Sequence, residues 1–95
     1  LLGYNSNRNF FTLELKVVRS GNKIRFSPHQ ISFHIRHPVN TFILIDDPTR
    51  ARVCLYVGNQ INELVEKGLK IKPMAENLED CKIIFDRLTL KKYYE

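Results

Sequence analysis

From Phe11 to His37, apolar and polar positions alternate in three runs separated by two turn signals. One set of alternate positions is apolar: Phe11, Leu13, Leu15 and Val17, then Ile24 and Phe26, then Ile31, Phe33 and Ile35. The intervening positions carry Lys16, Lys23, Arg25, His34 and Arg36. A period of two places successive side chains on opposite faces of a strand, so the stretch predicts a three-stranded antiparallel meander with a core wall and a basic face. Glycine and asparagine in Arg19-Ser20-Gly21-Asn22 tolerate the positive φ of a tight hairpin. In Ser27-Pro28-His29-Gln30 the fixed φ of proline suits the second position of a type I turn. Folding about these turns sets Val17 opposite Phe26, Phe26 opposite Ile31 and Lys23 opposite His34, which keeps apolar against apolar.

Pro38 ends the third run, because it has no amide proton for a ladder. Thr41 to Asp46 is too continuously apolar to have a wet face and predicts a central or helix-covered strand. Asp46-Asp47-Pro48-Thr49 is a turn, and Ala51 to Val57 is a fifth strand. At Gly58-Asn59 the period changes. Ile61, Leu64 and Val65 recur at helical spacing, with Asn59 as N-cap and Gly68 as terminator. Leu78, Cys81, Phe85 and Leu88 define one face of a second helix beginning at Asn77, with Glu79 and Asp80 in its first turn and Lys91-Lys92 in its last, as the helix dipole favours. Ile83-Ile84-Phe85 and Leu88-Thr89-Leu90 also suit a strand, so residues 77–92 keep both assignments. The expected fold is α+β: an antiparallel sheet of about five strands packed with one or two C-terminal helices. Residues 1–9, rich in asparagine and serine, are expected to be a linker or leading arm. Residues 10–95 form a single small globular interaction domain, and the opening Leu1-Leu2-Gly3-Tyr4 suggests a segment of a longer protein.

Charge sharpens this picture. The net charge is +5, and residues 1–40 hold six Lys/Arg against one acid, Glu14, whereas residues 41–95 hold nine of each. The excess is therefore confined to the predicted meander, together with all three histidines, and points to an anionic partner. Cys54 and Cys81 sit in apolar segments without a spacing motif and read as buried, reduced thiols of an intracellular, cytoplasmic or nuclear protein. No apolar run approaches the length of a transmembrane helix.

Catalytic constellations are not evident. Asp46-Asp47 has the setting of a turn, a serine elbow and a phosphate-cradling glycine loop are absent, and the histidines lack metal-ligand spacing. No enzyme activity, cofactor, metal or small-molecule substrate is expected. The candidate partner-binding set is Lys16, Arg19, Lys23, Arg25, His34 and Arg36 on the basic face. Three readings follow. The first is a non-enzymatic protein–protein interaction module, or a self-associating one, using an open sheet edge, the basic face, or both. The second is nucleic-acid binding through the basic face, which lacks an aromatic stacking platform because Phe11, Phe26 and Phe33 share the apolar parity. The third concerns anionic phospholipid at a membrane surface. The spacing Lys16-x6-Lys23-x-Arg25 across a hairpin resembles the basic β1–β2 hairpin of pleckstrin-homology domains, over residues 13 to 26 only, and implies inositol phosphate headgroups. Strands followed by a helix are similar in architecture to polo-box modules, which bind protein partners.

Overall fold

The computed structural model describes residues 2–4 and 10–87 of the chain. Three long strands, β2 (Phe10–Val17), β3 (Thr41–Asp47) and β4 (Arg52–Val57), form the body of one sheet, and the three-residue strand β1 (Leu2–Tyr4) pairs at its edge. Strand order follows the chain, β1-β2-β3-β4. The sheet is mixed: β1–β2 and β3–β4 are antiparallel, whereas β2 and β3 run parallel, from Thr12 opposite Thr41 to Val17 opposite Asp46. Three helices complete the fold, α1 (Pro28–Arg36), α2 (Ile61–Lys67) and α3 (Leu78–Asp86).

The expected five-stranded antiparallel sheet is therefore corrected, and the cause lies at Ser27. Its hydroxyl accepts a hydrogen bond from the Gln30 amide at 3.1 Å, and the Gln30 side chain accepts one from the Ser27 amide at 3.0 Å. This reciprocal pair is a capping box, and Pro28 fills the first helical position, where its missing N–H costs nothing. The φ that suits the second position of a turn also suits the start of a helix, so Ser-Pro-His-Gln opens α1 instead of reversing a hairpin. Residues expected as the third strand become a crossover helix, and parallel pairing of β2 with β3 follows, since such pairing needs a crossover. Neither Val17–Phe26 nor Lys23–His34 is a cross-strand pair; the partner of Val17 is Asp46.

Between β2 and α1 the chain runs on without joining the sheet. Alternation survives there as burial parity: Ile24 is buried and Phe26 half-buried, while Lys23 and Arg25 point outward. Two apolar clusters lie on the two faces of the sheet. One joins Val18, Ile43, Ile45, Cys54 and Tyr56 to Ile61 and Leu64 of α2, with Ile31 of α1 beside them. The other joins Phe42, Leu55 and Ala75 to Cys81 of α3, with Phe11, Leu13, Ile84 and Phe85 against it. β3 is central and covered on both faces, as its continuous apolar run requires.

Asn77 caps α3 by accepting from the Asp80 amide at 2.8 Å, so residues 78–86 take the helical of the two assignments, while Leu88 and Lys91-Lys92 lie outside the described residues. The outer edge of β4 is occupied by the segment before α3: the Leu55 amide donates to Ala75 O, and the Met74 amide to Leu55 O, both at 2.9 Å. The sheet is thus protected on the β4 side. Its other margin, β2, sets the functional question.

Candidate functional site

The structure disperses the six basic candidates. Arg19, Lys23 and Arg25 are exposed on the segment before α1, and Arg36 is exposed at the far end of that helix, whose nine residues span roughly 13 Å at the usual rise. Lys16 is half-buried on β2, with its Nζ 5.2 Å from the centre of the Phe26 ring. His34 leaves the set altogether, since it is buried in α1 at 1% exposure. No basic hairpin spans residues 13 to 26, so the pleckstrin-homology-like arrangement has no counterpart here. Lys23 instead lines a cleft of about 550 Å³ with Lys67, Lys70 and Glu66, residues from the half of the chain whose charges balance.

The edge of β2 carries a different and more specific arrangement. β1 pairs only with Phe10, Phe11 and Thr12, and among the described residues no strand flanks Glu14–Val17 on the side away from β3. The Thr12 amide donates to Asn40 O at 3.0 Å and the Val18 amide to Asp46 O at 2.9 Å. With the parallel register between them, even-numbered residues bond to β3, so Leu15 and Val17 turn their N–H and C=O groups outward. The same two residues expose their side chains, Leu15 by 53% and Val17 by 57%. They lie on the α3 face of the sheet but beyond the reach of that helix, which packs with Phe11 and Leu13. Both were expected in the core wall. Unpaired backbone and apolar side chains at the same positions are what an incoming strand requires.

Glu14 and Lys16 alternate with them on the opposite face, each half-buried. The edge therefore reads, in order, acid, apolar, base, apolar. The signal for this site was present in the sequence as the capping box at Ser27. Once residues 28–36 are a helix, β2 loses its expected hairpin partner and its outer edge opens.

The remaining polar clusters are structural. Asp47, fully buried at the end of β3, accepts from Arg50 at 3.0 Å, from Arg52 at 3.1 Å and from the Thr49 hydroxyl at 3.0 Å. Burial pushes its carboxyl up, but the three hydrogen bonds and the Arg50 charge outweigh this and hold it below the usual carboxylate range. Arg50 also donates to Gly21 O and to the Asn22 side chain, so the β3–β4 turn pins the loop that follows β2. Asp46 and Asp47, expected in a turn, instead end β3 opposite Val53 and Arg52, and the chain reverses after them over Pro48–Arg50, with a buried ionic hub at Asp47 not foreseen.

Cys54 and Cys81 are both buried, on opposite faces of the sheet. Burial raises both thiols, the reverse of what a reactive thiolate needs. Burial likewise pushes the Tyr56 hydroxyl up to about 12, and it donates to Ile71 O at 2.7 Å. No three His, Cys, Asp or Glu residues converge as a metal site among the described residues, and no helix there is long and apolar enough to cross a membrane. Compared with protein-family models, curated proteins and solved structures, the chain matches none.

Proposed function

We propose that this chain is a protein-interaction module that receives an extended segment of a protein partner as an added strand along Glu14–Val17 of β2. One observation carries the reading: Leu15 and Val17 present outward backbone groups and exposed apolar side chains together. Main-chain hydrogen bonds supply affinity in strand addition, and alternate side chains supply selectivity. Arg19, exposed two residues beyond Val17, favours segments with an acidic flank. Dispersal of the cations along both ends of α1 favours this reading over nucleic-acid or anionic-lipid binding, both of which draw on convergent charge.

Selection from a displayed library of random peptides, followed by amide hydrogen exchange on the complexes, tests it. The expected result is a set of extended peptides with an acidic flank that slow exchange at Leu15 and Val17. Peptides that leave those two amides unchanged and protect only residues 19–25 or another surface would refute the strand-addition reading.

A further inference from the structure

Resting on that reading of the β2 edge, we propose that its occupant is the same edge of a second copy of the chain, paired antiparallel about a two-fold axis through Leu15. In this register Leu15 faces the second copy's Leu15. Because the backbone groups of Leu15 point outward, the two residues exchange a pair of N–H···O bonds across the axis. On the α3 face the two Leu15 side chains meet, with each Val17 diagonal to them. On the other face Glu14 stands opposite the second copy's Lys16, and Lys16 opposite its Glu14. The pairing covers Glu14 to Lys16 of each copy and stops before Thr12, where β1 already occupies the edge.

Charge selects this register over its neighbours. Backbone direction requires outward residues to face outward residues, so a two-fold axis can move only in single-residue steps along the strand. Moving it to Lys16 sets Lys16 against Lys16, and moving it to Glu14 sets Glu14 against Glu14. Like charges directly opposite destabilise a pair as opposite charges stabilise it. Only the axis at Leu15 gives two attractive pairs, which makes the segment Glu14-Leu15-Lys16 complementary to itself. The contact is small, so the dimer is a weak one.

Sedimentation equilibrium from about 10 µM to about 1 mM spans the range expected for so small an interface. The wild type is expected to form a dimer over this range and no higher species. Leu15→Pro is expected to be monomeric, since it removes an outward donor while leaving the bonds to β3 in place. Lys16→Glu and Glu14→Lys are each expected to weaken the homodimer by about tenfold or more, two pairs turning repulsive in each. An equimolar mixture of these two variants restores dimer as a heterodimer, and the double swap E14K/K16E restores the homodimer. Circular dichroism and the thermal midpoint check that each variant folds.

A wild type that stays monomeric at the highest concentration overturns the self-pairing. So does a dimer indifferent to Leu15→Pro, or a mixture no more associated than its components. Failure of the underlying reading looks different. A monomeric wild type whose Leu15 and Val17 amides are still protected by selected peptides rejects only the second copy as occupant. Peptides that bind Leu15→Pro as well as wild type reject the edge itself.

Discussion

His34 offers a test of how α1 is seated on the sheet. Its imidazole is 1% exposed, and neither ring nitrogen has a hydrogen-bond partner. It is held against Gly58, where an added Cβ would stand 2.8 Å from Nδ1 and would collide with the Thr41 hydroxyl. Burial lowers the pKa of the imidazole below its ordinary value, and the Glu14 carboxylate only partly offsets this. The unfolded chain therefore binds the proton more readily than the folded one. Stability is full above the unfolded pKa of about 6.5 and is lost as pH falls below it, by at most about 1.4 kcal/mol per pH unit until the folded pKa is reached. With Glu14 opposing, the expected loss between pH ~7.5 and ~5.5 is about 1 kcal/mol. In urea this is a fall in midpoint of roughly 0.5 to 1 M for a chain of this size. His34→Leu is expected to be neutral or stabilising by about 1 kcal/mol at the higher pH, because it removes two unsatisfied polar atoms. It should also show less acid sensitivity than the wild type. Equal losses in the two proteins over this interval would refute the buried, neutral imidazole; His34→Gln serves the same comparison if the leucine variant packs poorly.

Other outcomes follow from the same contacts. Asp47→Ala removes the acceptor of three hydrogen bonds and leaves two partly exposed guanidiniums that water can solvate, so it is expected to cost about 1 to 3 kcal/mol in urea unfolding; a loss below about 0.5 kcal/mol would mean that the buried carboxylate contributes nothing net. The depressed pKa of Asp47 predicts that its contribution is present above the unfolded carboxyl value and is lost as pH falls below about 3.9, so acid unfolding of Asp47→Asn should lack that component. Gly58→Ala is expected to destabilise by about 2 to 3 kcal/mol through overpacking against Thr41 and His34, measured as a midpoint shift at unchanged slope. Gly68→Ala should be similarly costly, because Gly68 has φ +60° and a Cβ there would collide with the Asn22 carbonyl oxygen.

Burial parity was legible in the segment before α1 but failed at Leu15, Val17, Phe33, His34 and Ile35, and partnership was not legible at all. The alternation at Lys23, Ile24, Arg25 and Phe26 correctly separated inward from outward residues, yet the segment joins no strand, since alternation fixes faces and leaves hydrogen-bond partners open. Ile31, Phe33 and Ile35 suggested a third strand face. In α1 the buried positions are instead His34, with Ile31 half-buried, while Phe33 and Ile35 are exposed. The deciding signal was four residues long, Ser27 to Gln30, and it supports a turn and a helix start through the same proline geometry.

Downstream, the helical period at Ile61 and Leu64, the terminator Gly68 and the start of the last helix at Asn77 read correctly because each has one dominant physical cause, whereas Asn59, expected to cap α2, lies in the 3-10 turn Gly58–Gln60 and Gln60 takes the cap position. Leu15 and Val17 could not be recognised as exposed from their own identity. Their exposure follows from how α3 lies on the sheet, with Phe85 over Phe11 and Phe42, and from the parallel partner of β2, both of which depend on contacts distant in sequence. His34 was misplaced for the related reason that its face depends on helix or strand period.

The exchange rates of four consecutive amides test the central claim most directly. In dilute solution the Leu15 and Val17 amides are expected to exchange fast and those of Glu14 and Lys16, which bond to β3, slowly. Raising the protein concentration should slow Leu15, the residue bonded across the two-fold axis, and adding a selected peptide should slow Leu15 and Val17, with Glu14 and Lys16 unchanged. Slow exchange at Leu15 and Val17 in the dilute chain, or equally fast exchange at all four, would contradict an open edge on β2.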